Sequence, residues 1–495
     1  MLGVLLVFLS GRVAVPVDAR IFAGRSASER ASFLVVLREQ ADLSAAGAIP
    51  DRLERRRWVY ETLRAEAETS QAPLRERLAR SGVAFRPHFL VNMIEVEGDA
   101  RLARELAARP DVASVTANLP APIERTAAMD ERRPPTNGVE PNLVLIGATE
   151  IWARGTTGQR IVVGVADTGF QWDHPALKNA YRGWDGVSAS HEYNWHDAVH
   201  DALAGNPCGS DVSAPCDDNG HGTGTAGFAV GHDGDHVIGV APGARLIGCR
   251  NMDAGNGTPA RYTECFEWLL APTDANGENA RPDLGADVIN NSWTCPVAEG
   301  CTDPTVLNGV VAALRAAGVA MSFAAGNRGA SCSTLADAPA IAEAAFTIGA
   351  TALDDTIALF SACGPVTSDG SERLKPDMTA PGVSLRTAGL DSSYVPFSGT
   401  SAAAPHVAGA FALLWSAYPR LAGDVDSSET FLTRGAKPLL AEIACGLFPP
   451  SAVPNPVFGW GRLNLVDAFA LAAAEVAPER VDASRPPPRT LPPRP

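Results

Sequence analysis

Five short apolar runs, at 161–166, 245–249, 287–290, 319–324 and 345–349, constrain this chain more than any other feature. They are rich in Val, Ile and Ala and do not alternate with polar residues, so both faces of each strand must be covered. Helical stretches such as 305–317 separate them, which is the pattern of a parallel sheet sandwiched between helices. The stretch before them is different. Residues 32–37 read as a strand, 51–80 as a charged helix, 89–97 as a strand, 100–108 as a helix and 112–116 as a strand, giving a small α+β unit. At 495 residues there is room for both units and for flanking segments.

Charge is distributed unevenly. Residues 1–125 carry 18 Lys/Arg against 16 Asp/Glu, whereas the remainder carries 23 against 40. An acidic body of this kind argues against a nucleic-acid partner. All nine cysteines follow residue 200 and none forms a CxxC pair, which disfavours a zinc knuckle or a thioredoxin-type site. The short separations Cys208/Cys216 and Cys295/Cys301 suit loop-closing disulfides and an oxidising compartment. The other pairings stay open, and an odd count leaves one thiol over. The apolar run from Met1 to Leu9, ahead of Val17-Asp-Ala19, has the look of a secretory h-region without its basic n-region. It is too short for a membrane span. The expected organisation is therefore a leader at 1–24, an α+β domain at 31–119, an exposed linker at 120–141, the parallel-sheet domain at 142–475, and a Pro/Arg tail at 476–495.

In an open α/β sheet, reactive groups gather beyond the carboxyl ends of the strands. Asp167, in VADTG, follows the first such strand. His221, in NGHGT, stands at a helix start between glycines, and Ser401, in SGTSAAAPHVAG, heads a long apolar helix. Singly, each has a plain structural reading: a turn aspartate, a capping or core histidine, an N-cap serine. Together their chain order is Asp, His, Ser, one of the known orders of a catalytic triad.

With INNS, FAAGN and KPDMTAPG added, the six ordered motifs resemble the subtilases, the subtilisin-like serine proteases, across roughly 142–470. WDHPALKNAYRGW, GCRNMDAGNGTPARYTECFEW and DVINNSW are similar to the bacillopeptidase F-like branch, and 31–119 resembles the family's inhibitory, chaperone-like propeptide. The resemblance implies a doubly wound, mostly parallel α/β domain preceded by a ferredoxin-like propeptide. It implies Ser401 as nucleophile, His221 as general base and Asp167 as its orienting carboxylate. Asn327 and the Ser401 amide would be the oxyanion donors. Ser292, Trp293 and Thr294 would form the strand edge that pairs with substrate backbone, and Ala324, Ala325 and Gly326 the opposite wall of the primary pocket. A secreted, self-processed, monomeric endopeptidase acting on proteins or peptides is expected, with no cofactor for catalysis.

Three positions depart from the family pattern. Gly224 stands where a second histidine is usual, Ala402 where methionine is common, and Thr294 where glycine is usual; the threonine should narrow the pocket entrance. A catalytically silent binding protein is the rival reading that these departures leave open. Structural calcium is a further implication of the resemblance, and in the loop after the His221 helix Asp233 and Asp235 are the candidate oxygen ligands.

Overall fold

A computed structural model describes residues 14–26, 28–124, 138–234, 236–301 and 304–476. The first part of the expected leader (1–13), the middle of the linker (125–137), Asp235 and the tail beyond 476 lie outside the described residues.

The N-terminal domain is an antiparallel sheet in the spatial order 85–88, 93–98, 31–37, 112–117, covered by helices Arg52–Arg80 and Ala100–Ala107. This is the β-α-β-β-α-β arrangement of a ferredoxin-like fold. The run 89–97 is not a single strand, because the chain turns at 89–92 and makes a hairpin of Phe85–His88 with Met93–Gly98. Pro87 hides the strand 85–88 from a pattern reading, since proline is tolerated only where a ladder donor is not needed. The domain also begins before residue 31: Ile21 is fully buried in its core and the Asp18 amide donates to the Val115 carbonyl at 3.0 Å.

The long helix is capped by Asp51, whose carboxylate accepts from the Leu53 and Glu54 amides at 2.9 and 2.8 Å. Its apolar spacing looks irregular in the sequence. The buried stripe is regular once Arg56 and Gln71 are placed in it, with Val59, Leu63, Ala67, Leu74 and Leu78. Both polar members are paired. Gln71 Nε2 donates to the His88 carbonyl at 2.7 Å, and Arg56 donates to Asp287 at 3.2 Å and to the Gly285 carbonyl at 3.0 Å in the second domain.

In the second domain seven strands lie in the order 378–381, 346–351, 320–324, 288–291, 162–167, 245–250, 195–197, every neighbouring pair parallel. The two outer strands, Met378–Pro381 and Trp195–Asp197, escape a reading by apolar runs because they are short. Val163, Val165 and Leu246 point to the layer that holds His221–Val230 and Thr400–Ala417. Ala166, Ile247 and Cys249 point to the opposite layer, with helices Pro259–Leu270 and Thr305–Ala316. Val59, Leu63, Leu90 and Val91 of the N-terminal domain join that second cluster, so the two domains share apolar core. The turn at 89–92 sits on the helix Pro259–Leu270, where Glu267 accepts from the Leu90 amide at 3.0 Å and faces His88 Nδ1 at 3.2 Å.

Four disulfides, Cys208–Cys216, Cys249–Cys265, Cys295–Cys301 and Cys332–Cys445, staple this domain. Cys363 is the leftover thiol, and burial pushes it up to about 12, which keeps it protonated and inert. No helix among the described residues is long and apolar enough to cross a membrane.

Candidate active site

Asp167 is the last residue of the strand Val162–Asp167 and His221 the first of the helix His221–Val230, so the sheet's carboxyl edge brings them together across 54 residues of chain. His221 Nδ1 donates to Asp167 Oδ1 at 2.7 Å. The same carboxylate accepts from the Thr168 amide at 2.7 Å and from Thr225 Oγ1 at 3.3 Å, which leaves it no freedom to turn away. Gly222 explains the glycine beside the histidine: a Cβ there would lie 2.0 Å from the Gly169 carbonyl oxygen. The helix start is gathered by Asp217, which accepts from the Gly220 and Thr223 amides at 2.8 and 2.9 Å.

Ser401 lies one residue into the helix Thr400–Ala417, and like Asp167 and His221 it is almost wholly buried, at 3, 0 and 4% exposure. Its hydroxyl donates to the Ser292 carbonyl at 2.9 Å, and the Ser292 hydroxyl donates back to the Ser401 carbonyl at 2.9 Å. No hydrogen bond joins Ser401 to His221 in this arrangement.

Asn327 closes the other side. Its Oδ1 accepts from both the amide and the hydroxyl of Thr400 at 3.0 Å, so the amide group is fixed and Nδ2 faces outward. Nδ2 donates to the backbone carbonyl of Glu124 at 3.3 Å. Glu124 ends a segment that the sequence assigns to a linker. Ala121–Pro122 pairs antiparallel with Asn256–Gly257, and the Ile123 amide donates to the Gly255 carbonyl at 2.7 Å. The end of the N-terminal domain is thus laid into the cleft as an added strand, with one carbonyl on Asn327.

The carboxylate of Glu124 accepts from the Asn327 amide at 3.0 Å and from Arg328 Nε at 2.6 Å. Arg328 Nη2 also pairs with buried Asp337 at 2.8 Å. Burial pushes the Asp337 carboxyl up to about 6, against the pull of Arg328. Gly326 sits at φ +98, where side chains are strained, and a Cβ on it would lie 3.7 Å from Ala362, 3.8 Å from Thr294 Cγ2 and 3.9 Å from a Glu124 carboxylate oxygen. Thr294, Gly326 and Ala362 therefore wall one pocket. Trp293 turns inward: its ring stacks on Tyr262 at 3.7 Å and its N–H donates to the Ala166 carbonyl at 2.9 Å. Ala324 and Ala325 are buried at the end of the strand Ala320–Ala324 and support the pocket from behind.

Two family departures have local reasons. A Cβ on Gly224 would lie 2.9 Å from ring carbons of Phe397, so a histidine there requires Phe397 to move. Ala402 packs in a cluster with Phe228, Leu385 and Phe397, whose bulk fills the space a longer side chain would take. His406 is core: its Nδ1 donates to the Ala402 carbonyl at 2.7 Å and burial pulls its pKa down to about 4. Of the two calcium candidates the structure describes only Asp233, since Asp235 lies outside the described residues. Asp233 is exposed on a two-residue hairpin strand, and among the described residues no three His, Cys, Asp or Glu side chains converge on a point.

The profile of the subtilase family, Peptidase S8, matches residues 158–461. The chain belongs to the subtilase family. The matched domain is a subtilisin-like serine endopeptidase domain, and its relatives agree. Bacillopeptidase F of Bacillus subtilis (strain 168) is 33% identical over 453 residues, 87% of this subtilase but only 30% of the relative's own length. Subtilisin DY of Bacillus licheniformis is 31% identical over 280 residues, covering 56% of this chain and 84% of its own. Subtilisin E of Bacillus subtilis (strain 168) is 30% identical over 295 residues, covering 58% and 65%.

Sequence reasoning named Asp167, His221, Ser401 and Asn327, which the fold gathers at one edge. It missed the Asn256–Gly257 edge, Thr400, Glu124 and Arg328. Thr400 stands inside the motif SGTSAAAPHVAG and Arg328 directly after FAAGN, so adjacency to Ser401 and Asn327 is the signal that could have flagged them.

Proposed function

We propose that this subtilase is a secreted, self-processing serine endopeptidase in which Ser401, His221 and Asp167 form the triad and Asn327 with the Ser401 amide binds the oxyanion. The observations that carry the reading are the Glu124 carbonyl held by Asn327 Nδ2 and the His221–Asp167 pair. Ser401 turns from the Ser292 carbonyl to His221, which takes its proton as the oxygen attacks the substrate carbonyl. Asp167 keeps His221 in the Nδ1–H tautomer, so Nε2 is the base, and it stabilises the imidazolium that forms. Asn327 Nδ2, locked by Thr400, needs no reorganisation when the carbonyl oxygen becomes negative. The imidazolium then gives its proton to the leaving amine, and water repeats the sequence on the acyl-enzyme. No metal enters these steps.

The N-terminal domain acts as the intramolecular inhibitor and chaperone. It covers the helix Pro259–Leu270 through Glu267 and fills the cleft with 121–124. Four disulfides fit folding outside the reducing cytosol. A monomer acting on proteins or peptides is the proposed working form. The test is to express the full chain beside Ser401→Ala. Wild type should separate into two fragments and take up a serine-directed phosphonate, whereas Ser401→Ala should remain one unlabelled chain. Two chains of equal, full length, both unlabelled, would overturn the proposal.

A further inference from the structure

The residue presented to the primary pocket is an acid, and the pocket is built to receive one. Three donors face the Glu124 side chain and carbonyl from one short segment: the Asn327 amide at 3.0 Å, Arg328 Nε at 2.6 Å, and Asn327 Nδ2 on the carbonyl at 3.3 Å. Arg328 is not a loose surface arginine. Its other arm is tied to buried Asp337 at 2.8 Å, which aims Nε at the pocket mouth. Thr294 Cγ2, Ala362 and a Glu124 carboxylate oxygen all lie within 3.9 Å of where a Cβ on Gly326 would stand, so the Glu124 side chain occupies the space that Thr294 and Ala362 border.

We propose that Arg328 makes this subtilase cut after acidic residues, glutamate above all, and that the bond between Glu124 and Arg125 is its first substrate. This rests on Ser401 being the nucleophile. In that step Ser401 Oγ bonds to the Glu124 carbonyl carbon and the carbon–nitrogen bond to Arg125 breaks. The Ser401 proton passes through His221 to the Arg125 nitrogen. Water then releases Glu124 as a free carboxylate and restores Ser401. Arg328 is a specificity-determining residue in this scheme and takes no part in bond breaking. The strand pairing of Ala121–Pro122 on Asn256–Gly257 positions the same bond without reading its side chain, so the acid preference falls on Arg328 and the Asn327 amide.

Charge-assisted hydrogen bonds to a carboxylate, at a partly exposed arginine, correspond to a preference of roughly 10- to 100-fold over a neutral isostere. The test uses enzyme matured from the full chain and four fluorogenic peptides, Ala-Pro-Ile-Xaa with Xaa as Glu, Gln, Phe or Arg. The Glu peptide should lead the Gln peptide in kcat/KM by that factor, and Arg328→Gln should shrink the ratio to within about threefold. Intact mass should place the first new N-terminus at Arg125. In the full chain, Glu124→Gln and Glu124→Lys should slow that first cut, and these variants carry the test if Arg328→Gln does not fold. Enzyme that takes up a serine-directed phosphonate yet cuts after Gln or Phe as well as after Glu overturns the specificity while leaving the protease reading intact. Enzyme that neither cuts nor labels overturns both.

Discussion

Thr400 is expected to act on catalysis only through Asn327. Its hydroxyl donates to Asn327 Oδ1 at 3.0 Å, its amide donates to the same oxygen at 3.0 Å, and its hydroxyl also accepts from the Gly326 amide at 3.2 Å. Removing Asn327 as Asn327→Ala should cost about 3 kcal/mol of transition-state stabilisation, roughly 150-fold in kcat. Thr400→Val removes one of the two donors that lock the Asn327 side chain and leaves the other. That should cost about 1 kcal/mol, near fivefold in kcat, with KM little changed. It also leaves the Gly326 amide without an acceptor, so a lower Tm should accompany it. Thr400→Ser keeps the hydroxyl and should restore both kcat and Tm. The decisive assay is a double-mutant cycle on one peptide substrate. In the Asn327→Ala background Thr400→Val has no amide left to orient, so its effect on kcat should nearly vanish. If the fivefold loss persists there, Thr400 works by another route and the account of a pre-set oxyanion donor is wrong.

Replacing Cys332 and Cys445 by serine opens the widest covalent loop, with a sequence separation of 113, and should cost roughly 4–5 kcal/mol, read as a large drop in Tm against wild type. Burial alone would lower the His88 pKa, but Glu267 beside it, with Glu95 and Glu264, raises it above the ordinary 6.5. The charged pair across the domain interface is thus fully present below that ordinary value and is lost as pH rises through the raised one. The lag before activity appears should shorten from mildly acidic to alkaline pH, and His88→Gln should flatten this dependence. Thr294→Gly removes the methyl that faces Gly326 and should raise the rate on peptides with Phe at the cleaved position relative to Glu by roughly tenfold, seen in competition between the two.

Much of the fold is legible because its signals are local. Apolar runs such as 161–166 and 245–249 mark buried strands whatever surrounds them, and Asp51 marks a helix start by reaching amides two and three residues on. Where a signal is short or shared with another element, the reading fails. Trp195–Asp197 is a strand only because 245–250 offers it a ladder, and 89–97 looks continuous because a buried turn is as apolar as the strand it leads into. Arg56 and Gln71 look like breaks in an amphipathic helix until their partners, Asp287 and the His88 carbonyl, are in place. Burial of a polar residue depends on what lies opposite, and that residue can be anywhere in the chain.

Family membership, the chain order Asp167, His221, Ser401, and the small residues that let helix starts approach the sheet can all be read without a structure. Those properties sit within motifs of a dozen residues or fewer, where covalent neighbours decide backbone shape. Tertiary structure alone decided what the cleft holds. Glu124 meets Asn327 and Arg328 across 203 and 204 positions of chain, and Thr294 becomes a pocket wall only when Gly326 is brought opposite it. No periodicity or propensity encodes such pairs, because they are set by how parallel strands stack their carboxyl ends at one edge and by the N-terminal domain docking across it.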